Sequence, residues 1–389
     1  MPTNQIHVVV LGGGYAGVMA ANRLETRDDV AVTLVNPRPH FVERIRLHQM
    51  VVDGDPATQT FTTVLNSGVH VVVDSAEHID AAARRVRLAS GSVLDYDYLI
   101  YAVGSTSATP AGVPGAAEFA YPISEWEQAQ RLRARLAGLP PRAPVVVVGA
   151  GLTGIEAAAE FAEAGRTVTL VSSIIAPSLS TPARRSVTRR LRKLGVTLIE
   201  RSTVAAVGPG HVVLDDGRTL ASEATVWTAG FGVPALAAAS GLTTDGIGRL
   251  VTDETLTSVD DERIVAAGDA SAPSGQPYRM SCQAGLPLGA QAAATVLARI
   301  TGDVPANATV PMTGQCISLG RRAGTVQLQR PDDTPVNVYL GGRTGALVKE
   351  KVCRYTVKWL AGEAAKPGSY KTLKGPARTT EPADVAAAS

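Results

Sequence analysis

Two segments of the sequence repeat the glycine spacing GxGxxG, in GGGYAG and in GAGLTG. Each segment follows a short apolar run and precedes a helix-like run. In that setting the first glycine permits a tight turn, the second lets a phosphate approach the backbone, and the third lets the helix pack closely on the strand. The N-terminus of the helix then attracts the phosphate charge. The spacing therefore predicts two dinucleotide sites, built on Gly12, Gly14, Gly17, Gly149, Gly151 and Gly154.

The residues that should meet the ribose are not the usual ones. Units of this kind mostly end their second strand with an acid that binds the ribose hydroxyls. The first unit ends instead in Asn36, whose amide can still accept from and donate to a hydroxyl. The second unit ends in Ser172, so no acid repels a 2′-phosphate there, and NADH and NADPH both stay open. Arg184 and Arg185 follow, and they either reach such a phosphate or form a solvated helix face.

The elements that must hold these motifs read as two strand–helix–strand units. Apolar, β-branched runs at 6–11 and 30–36 surround the first motif, and similar runs at 145–148 and 167–173 surround the second. Such runs are typical of buried parallel strands. Their duplication predicts an α/β fold with two Rossmann-like dinucleotide-binding domains. The sequence also predicts a capping box at Ser124 and Glu127 and a helix from about residue 286 to 300.

Composition and charge indicate a globular protein and give no sign of nucleic acid binding. The 389 residues are 45% hydrophobic and 19% charged, which is enough apolar material for a sizeable core. Lys and Arg total 37 against 35 for Asp and Glu, and this balance gives no reason to expect nucleic acid binding. The N-terminus runs straight into a strand, and no apolar run of about 18 residues occurs. We therefore expect a cytoplasmic protein.

The cysteines argue against several classes of site. Cys282, Cys316 and Cys353 form no CxxC or CxxxxC pair. That spacing argues against a disulfide scaffold, a zinc module and a thioredoxin-like redox pair. We interpret each cysteine as a small buried hydrophobic residue.

Three further motifs, YDYLIYAVGS, TVWTAG and ERIVAAGDAS, accompany the two glycine motifs along the chain. Over about residues 6–320 the chain thereby resembles the flavoproteins that have two dinucleotide-binding domains. The resemblance implies FAD in the first fold and NAD(P)H in the second. It also implies a discontinuous FAD-binding domain (1–112 and 246–310), an inserted NAD(P)H-binding domain (113–245), a smaller C-terminal interface domain (311–375) and a flexible tail (376–389).

The same resemblance assigns residues to the cofactors. Asp269, in ERIVAAGDAS, would hydrogen-bond the ribityl chain or the pyrophosphate of FAD, and Ala102 and Gly104 would lie along FAD. Gly230 belongs to the segment that crosses between the cofactor domains. Further cofactor contacts are expected at Tyr15, Ala16, Asn36, Arg38, Arg44, Ala76, Leu152, Thr153, Ser172, Gly268 and Leu286.

The missing cysteine pairs distinguish branches of this family. Members similar to glutathione reductase carry a CxxxxC disulfide after the first unit, where this chain reads HFVERIRLHQMVVDG. The segments GLTGIEAAAE and AGLPLGAQAA look most like type II NADH:quinone oxidoreductases and apoptosis-inducing-factor-like quinone reductases. This likeness implies hydride transfer from NAD(P)H to FAD and then electron transfer to an acceptor, with a quinone as the leading candidate. A ferredoxin- or rubredoxin-type reductase and a redox-sensing flavoprotein are the alternatives.

Glu156 is the acid within the second motif segment. The resemblance implies a position near flavin and nicotinamide, beside a basic partner, and makes Glu156 the candidate catalytic residue. Arg44, Arg46 and His48 are the candidate partners from the other domain. The alternative interpretation is an ordinary first-turn glutamate that the helix N-terminus stabilises.

The C-terminal segment 341–375 is strongly basic, with eight Lys and Arg against two acids and a net charge of +6. Val348, Val352, Tyr355 and Trp359 recur in it at helical spacing. A basic amphipathic helix with an interfacial tryptophan can lie on an anionic bilayer. The favoured interpretation is a helix packed on its own protein with a solvated basic face. Peripheral membrane contact and a homodimer are left open.

Overall fold

The computed structural model describes residues 5–108 and 112–378. Its strands are β1 (Ile6–Leu11), β2 (Val30–Asn36), β3 (His40–Val42), β4 (Thr58–Thr60), β5 (His70–Val73), β6 (Ala76–Asp80), β7 (Arg85–Leu88), β8 (Val93–Asp95), β9 (Tyr98–Tyr101), β10 (Thr106–Ser107), β11 (Ala120–Pro122), β12 (Pro144–Val148), β13 (Thr167–Ser172), β14 (Thr197–Glu200), β15 (Val204–Gly208), β16 (His211–Leu214), β17 (Thr219–Ala221), β18 (Ala224–Trp227), β19 (Phe231–Gly232), β20 (Leu250–Thr252), β21 (Ile264–Ala266), β22 (Ser271–Pro273), β23 (Gly314–Ser318), β24 (Gly324–Gln329) and β25 (Pro335–Gly341). Its α-helices are α1 (Tyr15–Leu24), α2 (Leu47–Asp53), α3 (Phe61–Val64), α4 (Ala116–Phe119), α5 (Trp126–Ala137), α6 (Leu152–Glu163), α7 (Thr181–Lys193), α8 (Leu236–Ala239), α9 (Cys282–Thr301) and α10 (Gly342–Ala365).

The first sheet has the strand order β21-β9-β1-β2-β5, and all of its neighbouring strands run parallel. Its central strand β1 is buried from Val8 to Leu11, because a parallel strand covered on both faces must be apolar on both. α1 connects β1 to β2 and packs against α9. This arrangement confirms the predicted first strand–helix–strand unit.

The second sheet repeats the design, with the order β11-β18-β12-β13-β14 and parallel neighbours throughout. α6 connects β12 to β13, as α1 does in the first unit. Each parallel sheet is accompanied by a small three-stranded antiparallel sheet, β6–β8 in the first fold and β15–β17 in the second. The α/β fold class with two Rossmann-like units is therefore confirmed.

The chain crosses between the two sheets twice. β10 lies after the first sheet's strand β9, β19 lies after the second sheet's strand β18, and the two crossing segments pair antiparallel. β21 then adds to the edge of the first sheet, parallel to β9. The second sheet is thus built from chain inserted between two strands of the first. The domain boundaries themselves remain predictions.

A third unit consists of the antiparallel sheet β23–β25 and the long helix α10. Near its end, the buried Glu363 of α10 pairs with Arg23 of α1. Near its start, Lys349 pairs with Glu156 of α6. Ion pairs near both ends of α10 therefore fasten this helix to both dinucleotide folds.

Helix α9 begins earlier than the sequence predicts, at Cys282 rather than about residue 286. Ser281 caps the helix, because its hydroxyl accepts a hydrogen bond from the Ala284 N–H at 3.3 Å. Pro287 lies inside the helix. The serine cap, rather than the proline, therefore fixes the start of α9.

The capping box predicted at Ser124 and Glu127 is wrong. Helix α5 begins after Glu125, and no side chain caps it within the described residues. Glu127 instead accepts two hydrogen bonds from Arg38, at 2.6 and 2.5 Å. A guanidinium offers a carboxylate a bidentate, charge-assisted partner, which is stronger than a neutral backbone N–H.

The predicted flexible tail starts with residues that the structure holds in place. Arg378 pairs with Glu254 at 3.0 Å and lies over the ring of Tyr278, 4.4 Å from its centroid. Residues 379–389 lie outside the described residues.

Candidate active site

One large cavity, with a volume of about 960 Å³, lies where the three units meet. Its wall includes the first turns of α1 and α6, the N-terminus of α9 and one face of α10. A second cavity of about 300 Å³ adjoins it, and both are lined by Gly14, Arg44, Ala102, Gly104 and Ser105. The two glycine-motif helices therefore begin at the same cavity.

The glycines of the first motif divide into two that permit close packing and one that faces open space. A Cβ on Gly12 would lie 2.3 Å from the Ala102 carbonyl oxygen, and φ of Gly12 is +104°. A Cβ on Gly17 would lie 1.8 Å from the Gly12 carbonyl oxygen. A Cβ on Gly14 would meet nothing within 4 Å. The space beside Gly14 is the place where the motif accepts a phosphate.

The second motif repeats this geometry. Gly149 has a φ of +96°, and a Cβ on Gly154 would lie 1.9 Å from the Gly149 carbonyl oxygen. A Cβ on Gly151 would again meet nothing within 4 Å. Leu152 and Thr153, directly after Gly151, line the large cavity.

Both helix starts fit a pyrophosphate. Gly14 and Gly151 are the N-caps of α1 and α6, and no side chain caps either helix within the described residues. Their first-turn N–H groups and the positive end of each helix dipole therefore act on the open space beside the glycine. The first site continues into the smaller cavity and so suits the long FAD molecule, while the second suits a nicotinamide dinucleotide.

Asp269 is held firmly at the wall of the large cavity. Its Oδ2 accepts a hydrogen bond from the Ser105 hydroxyl at 2.7 Å, and its Oδ1 accepts one from the Ser281 N–H at 3.1 Å. Arg44 donates to the same Ser105 hydroxyl at 3.2 Å and to the Ser124 carbonyl oxygen at 2.9 Å. Because Arg44 lines both cavities, its charge lies where a pyrophosphate would pass from one to the other.

Asn36 and Arg38 line the smaller cavity, but the protein already engages their polar groups. Asn36 Oδ1 accepts from the Gly13 N–H at 2.9 Å, and its Nδ2 donates to the Arg38 carbonyl oxygen at 2.7 Å. An aspartate could make the first of these bonds but not the second. Asn36 therefore shapes the glycine loop, and its contact with the ribose stays a prediction.

Glu156 is buried in the wall of the large cavity, at the junction of the three units. Its Oε1 accepts from Lys349 Nζ and from the Ser318 N–H, both at 2.9 Å. Its Oε2 lies 3.7 Å from His48 Nδ1. Lys349 Nζ also donates to the Cys316 carbonyl oxygen at 3.3 Å.

Burial and charge act in opposite directions on this cluster. Burial raises the pKa of Glu156, but the charge of Lys349 and the proximity of His48 outweigh it and hold that pKa below its ordinary value. Burial likewise lowers the pKa of Lys349, and Glu156 more than reverses the effect. Burial lowers the pKa of His48 to about 4, despite Glu156. At neutral pH the cluster is therefore a carboxylate–ammonium pair beside a neutral imidazole.

Of the three predicted partners of Glu156, His48 lies beside it, and the other two do not. Arg44 bonds the two serines described above, and Arg46 pairs with Glu350 at 3.0 Å. The close cation is Lys349, from the basic segment 341–375. Lys349 precedes the buried Cys353 by four residues and so shares its helix face. A charged residue on the buried face of a helix indicates a buried ionic partner, and this signal was missed.

All three cysteines are free, and all three line the large cavity. Burial raises the pKa of each thiol, in the case of Cys282 to about 11. Cys353 is buried, as predicted, whereas Cys282 and Cys316 keep partial exposure. The three side chains are therefore neutral thiols at physiological pH.

We expect a reductive titration to consume two electrons per FAD, because three neutral thiols without a disulfide add no electron acceptor. Anaerobic titration with dithionite, followed by the FAD absorbance, measures this stoichiometry. The Cys282→Ser variant serves as a control and should give the same endpoint. A reproducible four-electron endpoint in the unmodified protein would reveal a redox-active disulfide.

Six predicted cofactor residues line neither of the two cavities. Ser172 ends β13, and its hydroxyl donates to the Ile174 carbonyl oxygen at 3.0 Å. Gly230 lies at the crossover between the folds, where its Cβ position is 3.2 Å from the Ala108 Cβ. Gly17, Gly149, Gly151 and Gly154 also do not line either cavity. The predicted residues that do are Gly12, Gly14, Tyr15, Ala16, Asn36, Arg38, Arg44, Ala76, Ala102, Gly104, Leu152, Thr153, Glu156, Gly268, Asp269 and Leu286.

Ser172→Glu should raise KM for NADPH about fivefold while changing KM for NADH little. The reason is that a carboxylate at the end of β13 would repel a 2′-phosphate by about 1 kcal/mol in solvated surroundings and accept from a 2′-hydroxyl. Steady-state kinetics with both nucleotides measure the effect, and Ser172→Gln is the neutral control. Equal effects on both nucleotides would remove Ser172 from the ribose site.

Comparison with known proteins gives a consistent result. The profile of the pyridine nucleotide-disulphide oxidoreductase family matches residues 6–293. An NADH dehydrogenase-like protein of Mycobacterium tuberculosis (strain CDC 1551 / Oshkosh) is 34% identical, in a match that covers 75% of this chain and 80% of the relative. The type II NADH:quinone oxidoreductase of Staphylococcus epidermidis is 26% identical, in a match that covers 93% of this chain and 98% of the relative. The solved sulfide:quinone oxidoreductase of Aquifex aeolicus shares the fold, with a TM-score of 0.75 at 19% identity over 93% of both chains.

The family match spans both glycine motifs and the returning strand β21. It also spans Asp269 and the start of α9, which line the large cavity. The match therefore covers both dinucleotide folds. The chain belongs to the pyridine nucleotide-disulphide oxidoreductase family.

Proposed function

We propose that this protein transfers a hydride from NADH or NADPH to bound FAD and passes the electrons to a quinone. Membership of the family makes it an FAD-dependent NAD(P)H oxidoreductase. The observation that carries the proposal is the cavity of about 960 Å³, which the first turns of both motif helices share with α10. That cavity gives nicotinamide, FAD and a small acceptor one common space.

The protein's part in this reaction is binding and orientation. When bound, FAD supplies the redox chemistry, because it accepts a hydride and gives up two electrons. The first turn of α1 and Arg44 would hold its pyrophosphate, and Asp269 would lie beside its ribityl chain. Leu152 and Thr153 would admit the nicotinamide end of NAD(P)H to the cavity. Alignment of the two rings supplies most of the catalysis, because hydride transfer requires near-contact geometry.

The α10 side of the cavity suits a quinone. Val348, Val352 and Trp359 of α10 and Leu328 of β24 give this side an apolar wall. Lys349 supplies an ammonium group that could donate to a quinone carbonyl. Apolar walls with a few convergent polar groups are typical of small-molecule sites. A protein acceptor would instead have to receive the electrons at the rim of the cavity.

An acceptor panel tests this assignment. Anaerobic NADH oxidation is measured with short-chain benzoquinones and naphthoquinones, and separately with a small iron–sulfur protein of the ferredoxin type. We expect turnover with a quinone and little with the iron–sulfur protein. The reverse preference would support the ferredoxin-reductase alternative. Slow turnover with every acceptor would favour a redox-sensing role.

Peripheral contact with an anionic membrane completes the proposal. None of the helices in residues 5–108 and 112–378 is both long and apolar enough to cross a bilayer. Leu347, Trp359 and Leu373 are nevertheless 73%, 42% and 71% exposed, on or just after α10. The lysines of this segment would add attraction to anionic lipid.

We expect the protein to co-sediment with anionic vesicles. This binding should weaken in the double variant Leu347→Ser/Trp359→Ser and with added salt. Binding to neither anionic nor neutral vesicles would contradict the proposed membrane contact. A homodimer and a cytoplasmic location remain predictions.

A further inference from the structure

Three glutamates form a row along α6, each one helical turn from the next. Glu156 lies at the cavity, Glu160 follows four residues later, and Glu163 ends the helix. Their exposure changes along the row: Glu160 is 2% exposed, and the side chain of Glu163 is 25% exposed. Residues four apart on a helix have Cβ atoms about 5–6 Å apart. The row therefore connects the cavity wall to the protein surface.

Glu160 is poorly compensated for a buried carboxylate. Its Oε2 lies 3.4 Å from Arg321 Nε, and its Oε1 accepts no hydrogen bond from any described protein group. Arg321 divides its charge, because it also pairs with Asp53 at the end of α2. A buried charge needs close partners on all its oxygens, so the protonated form suits this site better.

The charged groups that face Glu160 come from three elements. Arg321, in the turn between β23 and β24, favours the carboxylate, while Asp53 of α2 and the neighbours Glu156 and Glu163 disfavour it. Burial is the largest influence, and together these effects raise the pKa of Glu160 to about 7. Glu160 can therefore bind and release a proton near neutral pH.

The proposed reaction needs such a group. NADH, one proton and a quinone give NAD⁺ and a quinol. The hydride carries two electrons and one proton, so the second proton must come from solvent. Near the acceptor, His48 is neutral and Lys349 is held in its protonated form by Glu156. If Lys349 donates its proton to the reduced quinone, it must be reprotonated from elsewhere.

We propose that Glu160 relays this proton from the surface at Asp53, Arg321 and Glu163 to the Glu156–Lys349 pair. Glu160 gives its proton to the pair, with Glu156 carrying it only transiently, and it is reprotonated from solvent. The inference rests on the proposed quinone acceptor. Glu160 is a relay residue, because it touches neither FAD nor acceptor. The competing role is purely structural, in which Glu160 only fastens the Arg321 turn.

The variant Glu160→Gln separates these roles, because it keeps the shape and the hydrogen-bonding oxygen but cannot carry a proton. Reduction of FAD by NADH in stopped flow should be unchanged. Quinol formation should slow about tenfold or more, while reduction of ferricyanide, which takes up no proton, should keep its wild-type rate. Glu160→Asp should recover part of the quinol rate. Glu223→Gln, at an exposed glutamate that pairs with Arg135, is the matched control.

A second readout does not depend on turnover. Infrared difference spectra of the protein between pH 5 and pH 9 should show a protonated carboxyl band that titrates near neutral pH and is missing in Glu160→Gln. A quinol rate in Glu160→Gln equal to wild type, or equal losses with quinone and ferricyanide, would overturn the relay. The absence of the titrating band would overturn it as well. Failure of the wild-type protein to reduce any quinone would instead overturn the proposed function, and with it the need for this relay.

Discussion

Gly14→Val should give folded, colourless protein, whereas Gly151→Val should give yellow protein that NADH no longer reduces. Neither valine meets a protein atom near its Cβ, since nothing lies within 4 Å of either position. Each side chain would instead occupy the space that the motif leaves for a phosphate. Absorbance after purification measures bound FAD, and stopped-flow mixing with NADH measures reduction.

The loss of FAD should also appear in stability. A ligand at about 100 times its Kd stabilises the folded protein by about 2.7 kcal/mol. Wild-type and Gly151→Val proteins are first stripped of FAD, and added FAD should then raise their Tm. Added FAD should leave the Tm of Gly14→Val unchanged. Gly362→Val, at an α10 glycine with nothing within 4 Å, controls for valine itself. A fully flavinylated Gly14→Val protein would contradict the assignment of FAD to the first fold.

Breaking the Glu156–Lys349 pair should have the second large effect. Both side chains are largely buried, with 9% and 12% exposure. Glu156→Gln or Lys349→Met alone leaves one charge buried without its partner, which costs about 3–5 kcal/mol of unfolding free energy. The double variant should lose much less than the sum of the two. Denaturant unfolding measures all three, and Asp95→Asn, in an exposed pair with Arg85, should cost at most about 1 kcal/mol.

The same pair should tune the FAD reduction potential. Glu156→Gln leaves the positive charge of Lys349 and should raise the potential by tens of millivolts, where about 30 mV corresponds to about 1.4 kcal/mol for two electrons. Lys349→Met leaves the carboxylate and should lower the potential at pH 8. Hydride transfer from NADH should change about tenfold in Glu156→Gln, at constant FAD content. Unchanged potentials in both variants would place the pair outside the active site.

Local features of the sequence were sufficient for the fold and for the cofactor motifs. The β-branched run ending in Leu11 can form little other than a buried strand, and the glycine spacing after it requires the turn seen at Gly12. Gly14 and Gly151 were predicted to leave space for phosphate, and their surroundings are indeed open. These predictions depend only on short stretches of chain.

The partners of charged side chains could not be predicted in the same way. Lys349 meets Glu156 only because the tertiary fold brings α10 within reach of α6, and no local pattern encodes that contact. Glu127 could bond the backbone at the start of α5, yet Arg38, far away in the sequence, provides the stronger partner. Pairing of buried charges thus depends on tertiary packing, which a reading of residue types and spacing does not capture.

The most direct test of the account is an anaerobic double-mixing experiment with the wild-type protein. The first mix, with NADH, should abolish the absorbance band of oxidised FAD. The second mix, with a short-chain quinone after NADH is exhausted, should restore that band at a rate that rises with quinone concentration and is at least as fast as steady-state turnover. An FAD band that survives NADH, or one that NADH abolishes and no quinone restores, would contradict the central claim.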